Sequence, residues 1–112
     1  DVSVGNMIYH MLVSIGYKVD LYNSSTEALK AFKHHPDEYN LIITDMAMPN
    51  MTGIDLSREI QKSNPDFPII IMTGNSGFIT KDLRKKSGID KVISKPIEMK
   101  VISSAIRKVL DK

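Results

Sequence analysis

Two runs in the chain, Leu41-Ile42-Ile43-Thr44 and Ile69-Ile70-Ile71-Met72, are almost wholly apolar and rich in β-branched residues. A strand with one wet face alternates apolar and polar residues. A strand that does not alternate is covered on both faces, as in a parallel sheet layered by helices. Four or five residues is strand length, too short for a buried helix. Further short runs, Tyr17 to Leu21 and Lys91 to Ile93, also read as strands.

Helical patterns lie around these runs. Val4, Met7, Ile8, Met11, Leu12 and Ile15 recur at spacings of three and four, which predicts an amphipathic helix over residues 4–15, stopped by Gly16. Ser24 followed by Glu27 is a capping-box pattern. It opens a helix that buries Ala28, Leu29 and Phe32 and runs out at His34-His35-Pro36. Thr52 with Asp55 opens another over 53–63, and a helix over 79–87 ends at Gly88. Pro96 stands where the last helix should begin. That helix should bury Val101, Ile102, Ala105, Ile106, Val109 and Leu110.

The resulting order, αβαβαβαβα, predicts a doubly wound parallel sheet with helices on both faces. Such domains normally open with a strand, and this chain opens almost directly with a helix. The expectation is a five-stranded sheet with five helices whose first, central strand is missing from the chain. The 112 residues suit one domain, 1–112, without linker or repeat.

Composition excludes several classes. Apolar residues are 42% and charged residues 25%, ordinary for a globular domain. There is no cysteine, hence no disulfide framework or thiolate site. No apolar run approaches the ~18 residues of a membrane span, and no signal-peptide pattern opens the chain. A cytoplasmic protein without membrane contact is expected. The net charge is only +2, and no basic face is concentrated enough in sequence to predict nucleic-acid binding.

In a parallel sheet of this kind the binding crevice lies at the carboxyl ends of the strands. Asp45, Thr73 and Lys95 occupy or follow three consecutive strand ends. Alone, each reads as a turn residue or a surface lysine. Together they suit phosphoryl chemistry. A carboxylate can bind a metal or attack phosphorus. A lysine ammonium and a threonine hydroxyl neutralise and bond the equatorial oxygens. Mg²⁺, with oxygen ligands, supplies the remaining charge.

Other polar groups have plainer readings. His34 and His35 suit a solvated helix end, and His10 a helix surface. The seven methionines fall mostly at core spacing. Lys81, Arg84, Lys85 and Lys86 read as a solvated helix face.

Asp45-Met46-Ala47-Met48-Pro49 followed by Gly53 resembles the D-x-x-M-P-x-x-x-G motif of response-regulator receiver domains. Met72-Thr73-Gly74 resembles the family's Thr/Ser plus small residue, and Lys95-Pro96 its Lys-Pro, usually joined by a cis bond. The likeness covers essentially the whole chain and implies a flavodoxin-like, CheY-like fold. It implies that Asp45 accepts a phosphoryl group from the phosphohistidine of a histidine kinase or phosphotransfer domain. Thr73 and Lys95 would bind the phosphoryl oxygens. Mg²⁺ would sit on Asp45 and the Ala47 carbonyl. Met48, Pro49, Gly53, Gly74 and Pro96 would shape the loops. The family also holds Mg²⁺ with an acidic pair after the first strand, for which only Asp1 is present.

Val92 stands where many receivers carry a switching Tyr or Phe. The output surface implied is the last two helices and last strand. The residues around Thr73, Asp90 and Lys95 are most similar to receivers of hybrid sensor kinases, so a larger parent is expected. Two alternatives remain open. One is a degenerate receiver that only binds proteins. The other is an aspartyl phosphatase, disfavoured because Ala47 replaces the expected second aspartate.

Overall fold

A computed structural model describes residues 2–47, 51–74 and 79–111. The elements are α1 (Val2–Ser14), α2 (Ser25–His34), a 3₁₀ turn (Pro36–Glu38), β1 (Ile42–Asp45), α3 (Gly53–Ser63), β2 (Ile69–Thr73), α4 (Lys81–Ser87), β3 (Lys91–Ser94) and α5 (Met99–Leu110). The described strands form one parallel sheet in the order β1-β2-β3.

The non-alternating run at β2 has the predicted cause. Ile69, Ile70 and Ile71 have no exposed surface, because β2 is paired on both edges and covered on both faces. Ile69 and Ile71 face a core that includes Leu29, Phe32, Leu56 and Ile60 from α2 and α3, with Leu83 of α4 packed against it. Ile70 and Met72 face Ile8, Leu12, Ile102 and Ile106 from α1 and α5. The period of two along β2 thus separates two cores.

Side chains tie the amino ends of β2 and β3 together. Gln61 Nε2 donates to the carbonyls of Phe67 (3.3 Å) and Gly88 (3.2 Å). Asp90 Oδ2 accepts the Ile69 N–H at 2.9 Å. Arg84 donates to the carbonyls of Ile89 and Asp90. Gly88 ends α4 at φ 70°, in the left-handed region that favours glycine.

Four expectations are corrected. Tyr17 to Leu21 forms no strand, although Tyr17 and Val19 are half-buried and Lys18 and Asp20 exposed, as in a strand. Among the described residues no strand lies beside it to complete a ladder; a groove of about 600 Å³ separates it from Leu41 and Ile43. The Ser24–Glu27 capping box does not form, because Ser24 Oγ bonds Thr26 Oγ1 at 2.7 Å instead of a backbone amide. Pro96 does not start α5; the helix begins at Met99 with Glu98 as its cap residue. Val101 is 44% exposed, because the buried stripe of α5 runs through Ile102, Ala105, Ile106 and Val109.

The Thr52–Asp55 box does form in both directions, at 3.1 and 3.3 Å. It fixes where α3 leaves the loop after β1.

Candidate functional site

The register of the sheet sets the site. Asp45 pairs with Met72 and Thr73 with Ser94, so Asp45, Thr73 and the residue after Ser94 share one end of the sheet. Backbone bonds lock the strand exits. Met46 N–H donates to Met72 O at 2.8 Å, and Lys95 N–H to Thr73 O at 2.8 Å.

Asp45 is 9% exposed and Thr73 5%. The Lys95 ammonium reaches back across β2 and donates to Asp45 Oδ2 at 2.5 Å. The Ala47 N–H lies 3.3 Å from Asp45 Oδ1. The carboxylate is therefore oriented by a cation on one oxygen and a backbone amide on the other. Such charge-assisted bonds are stronger than neutral ones. A group joined to Asp45 would meet the lysine already in place.

Gly53 explains itself geometrically. A Cβ on it would stand 2.8 Å from the Asp45 carbonyl oxygen and 3.2 Å from Met46 Cα. Its N–H also bonds Met46 O at 3.0 Å. The absent side chain lets α3 begin directly against the end of β1. Among the described residues a Cβ on Gly74 would meet nothing within 4 Å. The Lys95–Pro96 peptide is cis.

Asp1, Met48 and Pro49 lie outside the described residues, as do the residues 75–78 that follow Gly74. Among the described residues no cluster of three or more His, Cys, Asp or Glu could hold a metal. Asp45 and the Ala47 carbonyl are hard oxygen donors of the type Mg²⁺ prefers, and two protein ligands suit an ion that keeps several waters. His34, His35 and His10 are exposed and stand apart from this site.

The sequence did not single out Asp20, Asn23 or Ser25. These line, with Thr44, Asp45 and Ala47, a groove of about 350 Å³ opening beside the carboxylate. The Tyr39 hydroxyl donates to Asp20 Oδ2 at 2.7 Å. That bond raises the Tyr39 pKa well above the usual tyrosine value, with smaller contributions from Tyr22 and burial. Asp20 lies inside the alternating stretch Tyr17 to Leu21, between Val19 and Leu21, and nothing in that pattern marks it as a site residue.

A sequence model of the response regulator receiver domain matches residues 1–107. The aerobic respiration control sensor protein ArcB of Escherichia coli (strain K12) is 36% identical over 106 residues, which are 90% of this chain and 13% of ArcB. The regulatory protein LuxO of Vibrio vulnificus (strain YJ016) is 31% identical over 111 residues, 95% of this chain and 24% of LuxO. The chain thus spans a quarter or less of these two relatives. The crystal structure of a response regulator receiver domain protein from Clostridium thermocellum superposes with a TM-score of 0.90 at 32% identity, covering 99% of this chain and 88% of that one. The receiver domain of the sensor histidine kinase PA1611 from Pseudomonas aeruginosa PAO1, with magnesium in its active-site cleft, shares the fold at a TM-score of 0.84 and 22% identity, covering 100% of this chain and 92% of that one.

Proposed function

Because the chain belongs to the response regulator receiver domain family, we propose that it is the phosphoacceptor module of a two-component relay and that Asp45 is the residue modified. The observation that carries this reading is the Lys95 ammonium 2.5 Å from Asp45 Oδ2, at a strand end shared with Thr73. A carboxylate held against a fixed cation is prepared to carry added negative charge.

The donor is the phosphohistidine of a histidine kinase or phosphotransfer domain. An Asp45 carboxylate oxygen attacks phosphorus, the P–N bond breaks and the imidazole leaves with its electron pair. The product is an acyl phosphate. Lys95 passes from the carboxylate to a phosphoryl oxygen, and the Thr73 hydroxyl donates to another. Mg²⁺ would be held by Asp45 and the Ala47 carbonyl, with Asp1 a further candidate ligand, and would supply positive charge beside the transferring group. Ala47 offers no acid or base two residues after Asp45, which favours a stored phosphoryl group over rapid turnover.

The output passes through α4, β3 and α5 to a partner protein. Val92 is half-buried against the core on the α4 side, and a valine there has no aromatic ring to swing inward.

The test is phosphorylation by acetyl phosphate or a phosphorylated phosphotransfer domain with Mg²⁺, read by intact mass. One phosphoryl group should be gained by the wild type and none by Asp45→Asn. Unchanged labelling of Asp45→Asn, or no labelling of the wild type with either donor, would overturn the reading.

A further inference from the structure

Helix α1 meets solvent without a charge. Residues 2–17 contain no Asp, Glu, Lys or Arg, although 25% of the chain is charged. A surface helix ordinarily places its charged residues on the face turned away from the core. Here that face carries Asn6, Met7, His10, Val13 and Ser14, all exposed, with Met7 39% and Val13 45% accessible.

The face is symmetric about His10. At about 100° per residue, Asn6 and Ser14 stand about 40° to either side of His10, and Met7 and Val13 about 60°. Ile8 and Leu12 lie on the far side, in the core shared with α5. The Tyr9 ring stands edge-on to the His10 imidazole, with centroids 5.4 Å apart. Asn6, His10 and Ser14 form one ridge at a spacing of four, the kind of ridge by which two helices interdigitate. Laid antiparallel on a second copy about His10, this ridge brings Asn6 to Ser14, His10 to His10 and Met7 to Val13, because the members of each pair lie equally far from His10 along the chain.

The chemistry of the ridge suits that pairing. An amide and a neutral imidazole each donate and accept hydrogen bonds. The Ser14 hydroxyl already donates to the Met11 carbonyl at 2.6 Å, which leaves its oxygen to accept from an Asn6 amide.

We propose that α1 is the contact through which two copies of this chain pair, antiparallel about a two-fold axis at His10. Such an interface is isologous, each patch meeting itself. The proposal stands apart from the phosphoacceptor reading and uses none of the α4, β3 and α5 surface. The partner follows from the charge pattern. A face without charge gives an oppositely charged protein nothing to read, and it lacks the Lys and Arg that hold a helix on a membrane surface. What it does present, donors and acceptors flanked by Met7 and Val13, complements a second copy of itself. One pair of 13-residue helices is a small contact, so the dimer belongs to the weak class, with a dissociation constant of about 10–100 μM.

Sedimentation velocity of the intact protein, run up to ~500 μM, tests this. The wild type should shift from monomer to dimer over that range. His10→Glu and His10→Lys each set like charges face to face, and each should raise the dissociation constant at least ~10-fold. Mixing the two variants in equal amounts should restore pairing, since opposite charges then meet across the axis. Val101→Glu, on α5, should pair as the wild type does. A wild type that stays monomeric, pairing undiminished in both His10 variants, a mixture that fails to restore it, or loss of pairing in Val101→Glu overturns the proposal.

Discussion

Gly53 stands so close to Asp45 that a single added carbon would lie 2.8 Å from the Asp45 carbonyl oxygen. That oxygen and Met46 Cα, at 3.2 Å, are backbone at the end of a buried strand and cannot swing aside, and the Thr44 methyl also lies at 3.2 Å. Gly53→Ala should therefore destabilise the domain by about 1–3 kcal/mol, as overpacking does. The melting temperature should fall by at least ~4 °C. Phosphoryl transfer to Asp45 should fall too, because α3 and the strand end must separate. An unchanged melting temperature would contradict the contact.

The Asp45–Lys95 pair should respond unequally to removal of its two members. The lysine side chain is 27% exposed and the aspartate side chain 10%. Lys95→Met leaves a largely buried carboxylate without its cation, whereas Asp45→Asn leaves an ammonium that can turn toward water. Urea unfolding should show Lys95→Met less stable than wild type by ~1–2 kcal/mol, reduced from fully buried cases by the partial exposure. Asp45→Asn should stay close to wild type. The reverse order would refute this account of the pair.

Two serine or threonine caps should differ in effect. Thr52 accepts the Asp55 N–H, while Ser24 bonds only a neighbouring hydroxyl. Thr52→Ala should cost ~1 kcal/mol. Ser24→Ala should cost a few tenths at most. Thermal unfolding of the two variants side by side distinguishes them, and equal losses would mean that Ser24 caps α2 after all.

Tyr39 should ionise only above the ordinary tyrosine range. Its proton is held mainly by the bond to the Asp20 carboxylate. The folded pKa lies above the ordinary value of ~10, so the folded state keeps a proton that the unfolded chain releases. The stabilisation is complete below pH ~10 and is lost as pH rises beyond that value. An absorbance titration should show a phenolate that forms above pH ~10, and Asp20→Asn should lower that transition. A transition that Asp20→Asn leaves unmoved would exclude the bond.

Much of this architecture was legible because its causes are local. The isoleucine run of β2 announces burial on both faces. The convergence of Asp45, Thr73 and Lys95 on one end of the sheet was legible because they fall at or after successive strand ends. The failures share a different cause. Tyr17 to Leu21 has the side-chain alternation of a strand, but a ladder needs a neighbour, and sequence within the segment cannot supply one. Ser24 has the correct spacing from Glu27, yet Thr26 lies nearer and takes the hydroxyl. Val101 fits the apolar period of α5 but falls on its outer flank. Asp20 went unnoticed because its place beside the Asp45 groove depends on how two segments pass each other.

The bonds from Gln61, Arg84 and Asp90 have a mechanical corollary. They rivet β2 and β3 at the end remote from Asp45, joining α3, α4 and both strands through backbone carbonyls and one amide. The sheet thus has an anvil at its base. A group added at the opposite end would meet two strands whose starts are already tied to each other and to the flanking helices.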